Sequence, residues 1–101
     1  LDDQHDQGQR ITVLAGEGVT YTVPQYFMAA HFEKKNQIMF RVSKVSKDMD
    51  VKILDADDKL IRKIRRPYLA PGEMEKIMIS EDDLKNSKGQ ITIKVESQNG
   101  T

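Results

Sequence analysis

Apolar and polar residues alternate with a period of two along most of the chain. Ile11 and Val13 lie opposite Arg10 and Thr12, and Val19, Tyr21 and Val23 lie opposite Thr20 and Thr22. The same rhythm runs through Ile38, Phe40 and Val42 against Met39, Arg41 and Ser43, and through Met49, Val51 and Ile53 against Asp50 and Lys52. It returns in Ile91, Ile93 and Val95 against Thr92, Lys94 and Glu96. Successive strand side chains point to opposite sheet faces, so each run predicts a strand with one buried and one wetted face. Antiparallel sheets with one packed face read this way, whereas parallel strands read as unbroken apolar runs.

Two further strands are less regular. Residues 74–79 place Ile77 and Ile79 on one face with Glu75 at its mouth, and Met74 and Met78 are read as core filling. Residues 59–66, KLIRKIRR, put Leu60 and Ile64 on one face with Arg62, and Ile61 on the other. Their spacing also suits a helix, but Asp57-Asp58 before and Pro67 after leave too few residues for a stable one. An edge strand is the better reading. The turns agree with this order. Gly16 and Gly18 separate the first two strands, Asp55–Asp58 closes a hairpin, and Pro71-Gly72 predicts a type II turn. Ser80 followed by Asp83 resembles a capping box and predicts one helical turn over Glu81–Asn86, with Leu84 tucked inward. About seven short strands with turns between them predict an all-β fold, an immunoglobulin-like antiparallel β-sandwich.

Residues 1–9 are polar and acidic and read as a linker or tail, residues 10–96 as one sandwich domain, and residues 97–101 as a flexible C-terminus. The chain has 101 residues, with 16 Lys+Arg against 16 Asp+Glu and no cysteine. That excludes a disulfide scaffold, a thiolate zinc site and a cysteine nucleophile. Zero net charge argues against nucleic acid as a partner, and no apolar run approaches the ~20 residues of a membrane helix.

Candidate chemistry is sparse. From Asp55, an EF-hand would place Lys59, Leu60 and Arg66 where it needs an oxygen ligand, glycine and glutamate, so a solvated turn is the reading there. His31 lies in an apolar segment without a triad partner and reads as a packing or hydrogen-bonding residue. Gly16-Glu17-Gly18 opens a strand and lacks the strand–turn–helix context of a dinucleotide loop. No catalytic, cofactor-binding or metal residue is assigned. Two candidate contact surfaces remain. Tyr26, Phe27 and Met28 with outward-looking Met39 form a candidate apolar patch. Arg62, Arg66 and Tyr68 on the basic strand form the other, although basic side chains also protect an edge from pairing.

Three stretches together resemble a known group: residues 16–25 (GEGVTYTVPQ), 39–43 (MFRVS) and 69–77 (LAPGEMEKI). In this order they are similar to the C-terminal domain of a bacterial FAD-dependent pyridine nucleotide-disulfide oxidoreductase. The resemblance implies a non-catalytic accessory domain, with FAD and NAD(P) bound upstream in the parent enzyme and no cofactor held by this chain. It further implies docking on the flavoprotein core or a redox partner subunit, in the cytoplasm, with no nucleic acid or membrane partner and no activity of this part alone. The residues by themselves also suit an immunoglobulin-like binding or spacer module of a bacterial surface protein or carbohydrate-active enzyme.

Overall fold

The computed structural model describes residues 10–97. Its strands are β1 (Arg10–Ala15), β2 (Val19–Val23), β3 (Tyr26–Met28), β4 (Lys35–Val42), β5 (Ser46–Leu54), β6 (Leu60–Leu69), β7 (Glu75–Ser80) and β8 (Gln90–Ser97). A 3-10 turn spans Ala29–His31, and one short helix, α1, spans Glu81–Lys85. The strands form two sheets, one of five in the order β3-β1-β8-β5-β6 and one of three in the order β2-β4-β7. None of the described helices is long and apolar enough to cross a membrane.

The alternating runs become the core. Ile38, Phe40, Ile77 and Ile79 of the small sheet and Val51, Ile53, Ile91 and Ile93 of the large one are all 3% exposed or less. They belong to a single buried cluster between the layers. Burying each such side chain contributes roughly 1.5–3 kcal/mol. Leu84, fully buried, brings α1 onto the same cluster, and the helix starts where predicted. The Ser80 hydroxyl accepts the Asp83 N–H at 3.1 Å, satisfying one of the unpaired donors of the first turn.

Several expectations are corrected. The sheet pairing is not purely antiparallel, because β1 and β8 run parallel, Val13 beside Ile91 and Ala15 beside Ile93. Among the described residues there are eight strands, the extra one being β3, which pairs antiparallel with β1. β8 runs through Ser97, which pairs with Met49, one residue beyond the expected domain boundary at 96. The edge strand is confirmed and is longer than 59–66, since β6 continues through Pro67 to Leu69 along β5. Proline fits because β6 is the outermost strand, where an N–H can be lost without breaking a ladder.

Two face assignments also change. In β2 the register shifts between Val19 and Tyr21, so Val19 stays inward while Tyr21 and Val23 turn outward, each 40% exposed. Thr22 becomes the buried residue, and its hydroxyl donates to the Val13 carbonyl at 3.4 Å. In β7, Ile77 and Ile79 occupy the inward positions, so Met78 faces solvent at 46% rather than filling the core. His31 is exposed instead of packed. Pro71-Gly72 does form a turn, closed by the Glu73 N–H on the Ala70 carbonyl at 3.1 Å. Gly72 lies outside the left-handed region, however, so the turn is not type II. It carries the chain from one sheet to the other rather than closing a hairpin.

The Gly16-Glu17-Gly18 turn has a structural reason for both glycines. Gly18 takes φ +80°, and a Cβ at Gly16 would lie 2.8 Å from the Thr92 methyl. The turn lies against β8, with the Gly16 N–H on the Ile93 carbonyl and the Val95 N–H on the Glu17 carbonyl.

Candidate functional site

The stretches that carry the resemblance converge in space. Residues 16–25 supply the turn before β2 and β2 itself, residues 39–43 the second half of β4, and residues 69–77 the last residue of β6, the turn into β7 and the start of β7. Together they reach all three strands of the small sheet, β2, β4 and β7. Arg41 connects all three. Its Nε donates to the Tyr21 hydroxyl at 3.0 Å and its Nη1 donates to the Pro71 carbonyl at 3.2 Å.

The outer face of this sheet follows from the register. Val23 lies beside Met39 and Met39 beside Lys76, while Tyr21 lies beside Arg41 and Gln37 beside Met78. Tyr21, Val23 and Met78 are exposed and Met39 is half-buried. Lys35, Arg41 and Lys76 are the charged residues at outward positions of the three strands, and none of those positions is acidic.

Of the sequence-predicted contact residues, Met39 lies on this face. Tyr26 adjoins it round the edge, in a groove that Tyr21, Leu14 and Arg10 also line. The Arg10 guanidinium sits 4.9 Å above the Tyr26 ring, a cation–π contact. Phe27 does not join the patch. It lies beside Ile11 and packs against the core, while Met28, beside Arg10, is half-buried. The predicted apolar patch is therefore divided between two faces and the interior.

The basic strand is at the opposite edge of the large sheet, four places along from β3. Arg62 and Arg66 are held within the domain. Arg62 pairs with Asp83 of α1 at 2.8 Å, and Arg66 pairs with Glu75 of β7 at 3.1 Å while donating to the Lys76 carbonyl. Both ion pairs close the gap between the layers along β6. Tyr68, beside Lys47, is 49% exposed at the far end of that strand. Sequence reasoning does not place Tyr21, Val23 or Arg41 on a contact surface, and it reads Met78 as core filling. The Tyr-x-Val spacing of β2 was visible, but its face was assigned inward.

On the outer face of the large sheet one carboxylate engages two lysines. Lys52 and Lys94 lie side by side on β5 and β8, and both donate to Glu96, at 2.6 and 2.8 Å. Lys52, then Lys94, hold the Glu96 carboxyl down at about 2 from its ordinary 4.5. A depressed carboxyl stabilises the fold above its unfolded-state value and loses that contribution as pH falls through its folded value. Glu96 should therefore stay ionised as pH drops from 4.5 towards about 2 and release its lysines only near that lower limit. An NMR titration of the Glu96 carboxyl tests this. Lys52→Met should move its midpoint back towards the ordinary value, and an unchanged midpoint would show that this pair is not the cause.

Elsewhere, the Asp55 carboxylate accepts the N–H groups of Asp57 and Lys59 at 2.8 and 2.9 Å, and the Lys59 bond is the main cause holding its carboxyl below the usual range. The oxygen that a cation would need is engaged in shaping the turn. Among the described residues no group of His, Asp and Glu is arranged to hold a metal ion. A cleft of about 570 Å³ opens at one end of the sandwich over Val42, Met49 and Val95. Compared with family models, curated proteins and solved structures, the chain matches none.

Proposed function

We propose that this chain is a non-catalytic accessory domain, immunoglobulin-like in its packing, of an FAD/NAD(P)-dependent pyridine nucleotide-disulfide oxidoreductase. In this reading it acts in the cytoplasm and docks on the flavoprotein core or a redox partner subunit through the small sheet. The observation that carries the reading is the convergence of three separated stretches on one sheet, where Arg41 binds Tyr21 to Pro71. Exposed aromatic and thioether side chains with an arginine among them are the composition of protein interfaces. FAD and NAD(P) then belong to the parent's upstream domains.

The 101-residue chain, purified alone, should show no flavin absorbance and no NAD(P)H oxidation. Its natural coding sequence upstream of Leu1 should encode a GxGxxG strand–turn–helix unit. Stoichiometric FAD on the isolated chain would overturn the reading. So would an upstream signal peptide followed by tandem sandwiches, which would favour a surface-protein module instead.

A further inference from the structure

We infer that the outer face of β2, β4 and β7 receives an acidic protein surface, with a partner carboxylate seated on Arg41 between the apolar side chains. The inference rests on the docking reading and names the partner's chemistry. It starts from an imbalance that the whole-chain charge conceals. The chain as a whole is neutral, with 16 basic and 16 acidic residues. On the large sheet's outer face Lys52 and Lys94 share Glu96, and at the β6 edge Arg62 and Arg66 find Asp83 and Glu75. At the outward positions of the small sheet's three strands Lys35, Arg41 and Lys76 have no acidic residue among them, because Glu75 of β7 faces inward to Arg66.

Arg41 is prepared for such a ligand. A guanidinium carries roughly five N–H donors in a planar fork and accepts nothing. Two of them are spent on Tyr21 and Pro71, which fixes the plane of the fork and leaves its other donors for a carboxylate. Because the side chain is already held, little rotamer entropy remains to be lost on binding. Lys76 stands beyond Met39 on the neighbouring strand, and Lys35 near the far end of β4, so the positive charge frames the apolar centre. Tyr21, Val23, Met39 and Met78 supply area that an apolar partner would cover.

A phosphate-rich partner fits less well. Nucleic acids and anionic membranes are drawn by dense positive fields, and here a few cations surround an apolar patch on a neutral molecule. A protein surface with one or two carboxylates amid apolar residues matches both halves of the face.

The test uses the full chain with labelled Met methyl groups, observed by NMR. The probes are two synthetic peptides of equal length, alternating Leu or Val with Glu in one and with Lys in the other, and phosphatidylserine vesicles. The acidic peptide should saturably shift the Met39 and Met78 methyls and the Arg41 Nε–H, more weakly at high salt. Arg41→Ala should weaken that binding about tenfold with the amide spectrum otherwise intact, Arg41→Lys should recover only part of it, and Lys63→Ala should leave it unchanged. Equal binding of the basic peptide, shifts confined to β6, or preferential binding to the vesicles would each overturn the inference. If the chain stays free of flavin while the acidic peptide fails, only the acidic partner is lost and the accessory-domain reading stands.

Discussion

Replacing Phe40 with alanine is expected to lower the free energy of unfolding by about 3–5 kcal/mol. That is a large share of the roughly 5–15 kcal/mol that holds a typical domain together. Phe40 is fully buried on β4, the middle strand of the small sheet, with Thr22 beside it on β2 and Glu75 beside it on β7. A cavity there is walled by two strand ladders and by the opposite sheet, so its surroundings cannot easily collapse into it. The denaturation midpoint should fall with an unchanged slope, the mark of lost stability without a change in the surface exposed. Arg41→Ala, one residue along and facing the other way, should stay within about 1 kcal/mol of the parent. The two neighbours therefore separate folding from docking. A loss at Phe40 below about 1 kcal/mol would mean that the two sheets are not packed through this residue.

The alternation of β4, β5 and β8 made their faces legible, because a period of two has only one buried solution when one sheet face meets a core. Ile38, Phe40 and Val42, Val51 and Ile53, and Ile91 and Ile93 all lie where that pattern put them. The pattern does not encode which strand is the neighbour or in which direction it runs. β1 alternates like an antiparallel strand and yet pairs parallel with β8, because the outer face of that sheet is wet. β3 escaped notice for another reason. It has three residues, follows Pro24 closely and leads straight into a 3-10 turn, so it is too short to display a period.

The candidate site was lost at one residue. The register shift at Thr20 reverses every later face in β2, sending Tyr21 and Val23 out and Thr22 in. A bulge of this kind adds one residue to one strand and leaves no mark in composition, since threonine suits either face. Arg41 was visibly outward, but its value depends on partners from two other strands, and pairing is a tertiary fact. At β6 the limit of the sequence was the opposite one. Its basic residues were legible, whereas the acidic residues that engage two of them, Asp83 and Glu75, come from α1 and β7. Arg62 and Arg66 are thus committed within the domain, whereas Arg41 keeps donors facing outward.

Arg66→Ala is the change that tests this division on the β6 side, and it should cost about 1.5–3 kcal/mol, the range of hydrogen bonds to charged groups. Arg66 faces inward from the edge strand, beside Met49, and reaches across the layers to the Glu75 carboxylate and the Lys76 carbonyl. The Glu75 side chain is only 16% exposed, so losing its partner leaves a carboxylate poorly reached by water. The penalty lies in that stranded charge more than in the pair itself. Glu75→Gln placed on the Arg66→Ala background should therefore recover part of the loss, whereas two independent sites would add. Lys63→Ala, on the outward face of the same strand, should change stability by no more than about 0.5 kcal/mol. Chemical denaturation of the four proteins decides the matter. If Arg66→Ala were as mild as Lys63→Ala, the ion pair would not be holding the layers together, and Arg66 would again be free to serve as a contact residue. If it shows the larger loss and the partial recovery, the basic edge is structural, and docking is left to the small sheet.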